Sequence, residues 1–174
     1  DQAAARSDYV GIADFGSRIP PDADDVGLAA EIIGQAQRPL VLTGRGALAA
    51  SPELVRFLDR TGAVYLDTQE SRNLVPAGHA SVVGAMRGRA MQEADLAIVV
   101  GRKLDYQTGY GSPAVLPHAR FIRIADNWEE LRENRRGEVE LFAHPALALA
   151  ALAAEVPGPS KNLDTAWTKS LRDE

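Results

Sequence analysis

Three stretches of the chain carry residues whose types and spacing could do chemistry. The first, Gly44-Arg45-Gly46-Ala47-Leu48-Ala49, fits G-x-G-x-x-A, with Asp67 about 20 residues further on. In that pattern the glycines let the backbone approach a pyrophosphate, and the acid holds a ribose. It works where the glycine turn opens straight into a helix, whereas here the helix start Ser51-Pro52 follows Ala49 by two residues. That spacing favours a glycine-bearing strand-to-helix loop over a nicotinamide fingerprint. The second stretch, Gly84-Ala85-Met86-Arg87-Gly88, combines glycines that allow close backbone approach with a flexible thioether and an arginine. It would suit a flavin or an adenine, and equally an ordinary loop with a glycine at each bend. The third, Gly101 to Gly111, holds Arg102, Lys103, Asp105, Tyr106, Gln107 and Tyr110 behind the strongest strand pattern. Ligands of open parallel sheets bind at such carboxyl ends, and a domain contact would use the same residue types.

What is missing is as informative. The chain has no cysteine, which excludes disulfides, thiolate zinc sites, iron–sulfur clusters and a cysteine nucleophile. His79, His118 and His144 lie far apart and show no metal spacing, and neither a G-x-S-x-G elbow nor a Walker lysine is present. The charge-rich run from Asp126 to Arg136 reads as a solvated helix face. No catalytic residue and no metal ligand set is therefore expected. A net charge of -5 argues against binding nucleic acid through its phosphates. The longest apolar stretch, Pro145 to Ala154, is half of the ~20 residues a membrane span needs, so no membrane partner is expected.

Positioning elements follow from periodicity. The 174 residues suffice for one core. Residues 1–21, ending in Pro20-Pro21, read as an extended connector, and Asp22 caps a helix with Val26, Ala29, Ala30 and Ile33 on its apolar face. Strands are expected at Pro39–Thr43, Ala63–Leu66, Asp95–Val100, Phe121–Ile124 and Glu138–Phe142. Ser51 as cap and Pro52 at the first helical position start a second helix that Gly62 stops. Further helices are expected at Arg89–Ala94, from Asp126 or Asn127 to Asn134, and at Pro145–Glu155. The irregular stretch from Asp67 to Gly88 is the first place to look for a site. Strands alternating with helices select an α/β fold with a parallel sheet covered on both faces, here over residues 22–155. Residues 156–174 read as another connector, with Trp167 as an anchor. The chain opens at Asp1 without methionine and ends in a polar stretch, as an excised piece would. Sixteen of its nineteen basic residues are arginine and alanine is abundant, a composition of GC-rich bacterial genomes, so a bacterial cytoplasm is expected.

The succession "RPLVLTGRGALAASPELVRFL", "GAVYLDTQESRNLVPAGH", "VVGAMRG", "ADLAIVVGRKLDYQTGYG" and "FIRIADNWEELRENRRGEV", closed by an Ala/Leu helix, resembles the central domain of thiamine diphosphate dependent enzymes of the acetolactate synthase, 2-oxoacid decarboxylase and oxalyl-CoA decarboxylase group. The resemblance covers about residues 20–155. It implies a three-layer Rossmann-like domain with a six-stranded parallel sheet, set between a pyrimidine-binding and a pyrophosphate-binding domain in a homo-oligomeric parent. Those outer domains would hold thiamine diphosphate and magnesium, and the parent would make or break a carbon–carbon bond next to a 2-keto carbon. The 174 residues alone would then bind no cofactor and catalyse nothing.

Some members of that group bind FAD in this domain, and others an adenine nucleotide. Gly44 and Gly46 match the glycines after the first strand, Gly84, Met86 and Gly88 match a G-M-x-G segment, and Gly101 and Asp105 match the strand exit beyond it. Lys103 and Gln107 stand where flavin-binding members carry arginines; Ala125 and His144 replace aspartates. Several charge-assisted hydrogen bonds are lost with those changes, each worth ~1.5–3 kcal/mol. The resemblance therefore ranks a scaffold and subunit-contact role ahead of FAD binding, with Arg102 or Arg123 as the residues able to compensate, and leaves ADP or coenzyme A as open alternatives for the crevice. An autonomous NAD(P)-binding oxidoreductase and a stand-alone adenine-nucleotide module are the competing classes.

Overall fold

In the computed structural model, residues 18–173 are described; the expected connector over residues 1–17 lies outside them. The inner strands are short and buried on both faces, which a sheet covered by two helical layers provides. β1 (Pro39–Thr43), β2 (Val64–Leu66) and β3 (Leu96–Val100) are buried at every position, and β4 (Arg120–Ala125) at all but its first. With β5 (Val139–Phe142) they form one parallel sheet in the order β2-β1-β3-β4-β5.

Side-chain alternation sends Val41, Tyr65, Ile98 and Ile122 to one face. There they pack under α1 (Ala23–Gln35), α2 (Ser51–Thr61) and α5 (Pro145–Glu155). Leu40, Leu42, Val64, Leu66, Ala97, Val99 and Phe121 face the other way. They meet Ala90 and Met91 of α3 (Arg87–Glu93), Trp167 and Leu171 of α6 (Thr165–Asp173), and Leu104 and Leu116 of the loop after β3. α4 (Trp128–Arg132) sits between β4 and β5 in the chain, and Asn127 caps it by accepting the Glu129 and Glu130 N–H groups.

Four local outcomes differ from the sequence expectation. The sheet has five strands among the described residues, not six. At the outer edge of β2 the chain pairs only at Val82, where Tyr65 donates to the Ser81 carbonyl at 2.7 Å and accepts from Val83 at 3.3 Å. Turns on both sides take the neighbouring donors, Val82 N–H going to His79 and Met86 N–H to Val83, so a sixth strand cannot lengthen. Ser51 does not cap α2. A 3₁₀ segment at Arg45–Ala50 runs straight into the helix, and the Ser51 hydroxyl instead donates to the Leu74 carbonyl at 2.6 Å. The helix after Asn127 ends at Arg132, because Asn134 turns left-handed (φ 61°) and its side-chain amide donates to the Leu104 carbonyl.

The last difference concerns the expected connector at 156–174, whose residues 165–173 form α6. Arg38 pairs with Asp164 at 3.0 Å, Asp164 N–H donates to the Gln37 carbonyl, and the Trp167 indole donates to Glu93 at 2.8 Å. This stretch therefore completes the second helical layer, with Trp167 as the anchor expected of it.

Where β1 and β3 end, their backbones touch. Gly101 has φ 53°, and a Cβ there would lie 2.5 Å from the Gly46 carbonyl carbon. Gly101→Ala should therefore lower unfolding free energy by about 2 kcal/mol or more, since left-handed strain and a backbone clash add. Gly27→Ala, with nothing within 4 Å of the added methyl, should raise it by about 0.5–1 kcal/mol. Urea unfolding of both variants measures the contrast.

Candidate functional site

In a parallel sheet, the crevice opens where successive connections leave in opposite directions, which here is between β1 and β3. The three glycines expected to line it close it instead. Gly46 N–H donates to the Gly101 carbonyl at 2.9 Å, and Gly44 N–H to the Val100 carbonyl at 3.1 Å. A Cβ on Gly44 would lie 2.5 Å from the Gly101 oxygen, and one on Gly46 2.8 Å from the Gly101 Cα. Glycine is required at these positions for backbone-to-backbone approach within the protein. The 3₁₀ segment that follows also separates the glycine turn from the α2 N-terminus, so the pyrophosphate geometry of a dinucleotide fold is not formed.

The open space lies one strand over, at the end of β2. Thr43 at the β1 terminus anchors it through buried hydroxyls: Thr43 Oγ1 meets Tyr65 Oη and Ser71 Oγ at 2.8 Å each, and Thr68 Oγ1 donates to the Thr43 carbonyl at 3.0 Å. Burial pushes the Tyr65 hydroxyl pKa up. These bonds hold residues 67–72 beside a hollow of about 310 Å3, which Leu66, Asp67, Thr68, Arg72, Gly84, Arg87 and Gln107 line.

Two guanidinium groups dominate the local electrostatics. Arg102 is buried, and its Nη2 donates to Asp105 Oδ1 and Gln107 Oε1 at 3.0 Å each, while its Nε has no partner among the described residues. Asp105 also accepts the Gln107 N–H at 2.9 Å, which caps the 3₁₀ segment Tyr106–Gly111. Arg87 is half-buried and, among the described residues, donates to the Asp67 and Gln107 carbonyls, at 3.2 and 3.4 Å. Burial lowers its pKa, and the positive charge of Arg102 lowers it further.

The seven candidate contact residues therefore divide. Gly84 opens onto the hollow, and Asp105 organises Arg102 and Gln107 at its wall. Gly44, Gly46 and Gly101 form the closure between β1 and β3. Met86 packs against the core beneath the sheet, and Lys103 pairs with Glu133 at 3.2 Å in a separate hollow with Asn127, Glu129 and Glu130. Of the two arginines expected to compensate, Arg123 is unavailable. It is buried and donates to the carbonyls of Glu130, Glu133 and Arg135. The sequence reading singled out the 67–88 stretch but missed Thr68 and Arg72 as lining residues; nothing in their spacing marks them.

The histidines fit no common site. His79 Nε2 lies 3.0 Å from Asp59, His118 is exposed, and His144 sits at the start of α5 with no partner for its Nδ1 among the described residues. Among the described residues no three of His, Asp and Glu converge as metal ligands.

A glycine-closed, five-stranded parallel sheet with its free space beside the switch point defines a Rossmann-like α/β domain. The family described as "Thiamine pyrophosphate enzyme, central domain" matches residues 26–152, and the chain belongs to it. It is 30% identical over 156 residues to 2-hydroxyacyl-CoA lyase 1 of Homo sapiens, covering 84% of this chain and 26% of that protein. It is also 30% identical over 136 residues to the acetolactate synthase large subunit of Mycobacterium tuberculosis, covering 76% and 24%. The chain thus spans about a quarter of the curated relatives it matches. A solved structure from Mycobacterium smegmatis, described as "a putative thiamin diphosphate-dependent enzyme", superposes with a TM-score of 0.69 at 20% identity, over 85% of this chain and 30% of that one, which shows a shared fold.

Asp105→Ala would leave the buried Arg102 with one neutral partner. It should destabilise the domain by about 3 kcal/mol, as breaking a buried pair does. Lys103→Ala removes an exposed pair and should leave the unfolding midpoint unchanged. Denaturant unfolding of the two variants separates these roles.

Proposed function

We propose that this chain is the central, positioning domain of a larger thiamine diphosphate dependent enzyme resembling acetolactate synthase, one that makes or breaks a carbon–carbon bond next to a 2-keto carbon. The observation that carries the reading is the relation of lengths: residues 26–152 match the central-domain family, while the whole chain spans about a quarter of its relatives. In this reading a pyrimidine-binding and a pyrophosphate-binding domain flank the chain and hold thiamine diphosphate and magnesium. The assembled enzyme is a homo-oligomer of the bacterial cytoplasm.

The geometry of the closed crevice supports a scaffold role over a nucleotide-holding one. The Gly44 and Gly46 N–H groups are taken by the Val100 and Gly101 carbonyls where a pyrophosphate would need them as donors. It likewise disfavours the nicotinamide-dependent oxidoreductase, which depends on a glycine turn opening directly onto a helix. No helix among the described residues is long and apolar enough to cross a membrane.

The chain mixed with pyruvate, thiamine diphosphate and magnesium should release no carbon dioxide and form no acetolactate; measurable turnover would overturn the proposal. NADH fluorescence should be unchanged on mixing. An enhancement that saturates would favour the oxidoreductase class.

A further inference from the structure

The hollow at the end of β2 has an unbalanced set of charges. Arg72 is exposed and has no hydrogen bond or ion pair among the described residues, and it shares the hollow with Arg87. Arg87 is half-buried yet donates to two neutral carbonyls, leaving three of its five N–H groups without an acceptor among the described residues. Behind it, the buried Arg102 takes Asp105 as its carboxylate partner. Charged groups removed from water are ordinarily matched by opposite charge. Arg87 lies within the field of the Asp67 and Asp105 carboxylates but its printed hydrogen bonds go to neither, Arg72 has no carboxylate partner among the described residues, and the hollow that both arginines line is open.

Three features restrict what could supply the missing charge. At about 310 Å3 the hollow lies at the lower end of the ~300–1,000 Å3 range of ligand sites, so it suits a small molecule. The glycine closure between β1 and β3 prevents a larger ligand from extending across the sheet's switch point. Asp67 also lines the hollow. Its carboxylate accepts hydrogen bonds and repels a bare anion, so it favours an anion that brings its own O–H donor.

We propose that Arg72, Arg87, Asp67 and the open face of Gly84 form a binding site for a small oxyanion carrying a hydroxyl group, such as hydrogen phosphate or a 2-hydroxy carboxylate. The guanidinium groups hold the anionic oxygens, and Asp67 accepts the hydroxyl proton. Gly84 leaves the space the ligand occupies, since a Cβ built there meets nothing within 4 Å. The site concerns this chain's own surface and does not depend on the scaffold reading, because turnover in the pyruvate assay would leave it standing.

The test is calorimetric titration of the 174-residue chain at constant ionic strength with inorganic phosphate, lactate, sulfate and ADP as probes. Phosphate and lactate should bind saturably below about 10 mM, and sulfate more weakly than phosphate. Arg72→Gln should weaken phosphate about tenfold, and Gly84→Leu should abolish binding by filling the hollow. Asp67→Asn should bring sulfate level with phosphate. Arg72 holds no other residue, and the space around Gly84 is free, so both variants should keep the parent's unfolding midpoint, which is measured alongside. The proposal is overturned if neither phosphate nor lactate saturates, or if Gly84→Leu binds like the parent. It is equally overturned if sulfate equals phosphate in the parent, or if ADP binds more tightly than phosphate and is lost in Gly84→Leu.

Discussion

Two neighbouring parallel strands, β1 and β3, end side by side at the carboxyl edge of the sheet, and the backbones that follow them are in contact. Everything at the carboxyl end of the sheet depends on that contact. It requires three residues without side chains, Gly44, Gly46 and Gly101, and it joins the two loops by hydrogen bonds between peptide groups. Gly101, bonded through its N–H to the Ile124 carbonyl, extends the same connection to β4. The loop after β3 therefore departs from a fixed point, and Arg102, the next residue, is driven into the interior. A buried guanidinium needs acceptors. Asp105 and Gln107 supply them within five residues, and the 3₁₀ segment at 106–111 is organised around that need.

The same contact displaces the available space. Were the switch point open, the N–H groups of the first loop would be free for phosphate. With them bonded to β3, the free volume moves to the end of β2, where loop 67–72 is held by the hydroxyls of Thr43, Thr68 and Ser71. Neutral hydroxyls fix the loop without adding charge, so the electrostatics of the hollow are left to Arg72, Arg87 and Asp67. The rim thus separates groups that hold the protein together from groups with capacity to spare. Arg123 and Arg102 belong to the first kind, and Arg72 and Arg87 to the second.

Most of the architecture was legible in the sequence, because local patterns there agree with the tertiary outcome. Pro39–Thr43 is a continuous apolar run, and it is a strand buried on both faces. Gly62 stops α2 in a left-handed turn (φ 69°), and Asn127 caps α4. Where reading failed, a distant group had taken over a local signal. Ser51 has a capping residue's chemistry, but its hydroxyl is claimed by Leu74, 23 positions away. Thr165–Asp173 follows a proline-rich stretch and looks like a link, yet Trp167 and Leu171 find apolar surface on β1 and β3 and a carboxylate on α3. Met86 and Lys103 sit at positions that resemble ligand contacts, but the core and Glu133 respectively receive them.

Periodicity, turn residues and the order of short motifs determined by themselves that this is a parallel α/β domain and that it belongs with the thiamine pyrophosphate enzyme central domains. These properties are carried by residues close in the chain, or by motif order, which a linear text preserves. Only the tertiary structure decided which glycines face a ligand space and which face other backbone, and which arginines remain free. The reason is physical: a Cβ-less position is defined by what approaches it, and a charge by what surrounds it. For Gly46 that is Gly101, 55 residues away, and for Arg87 it is the carbonyls of Asp67 and Gln107, 20 residues away on either side.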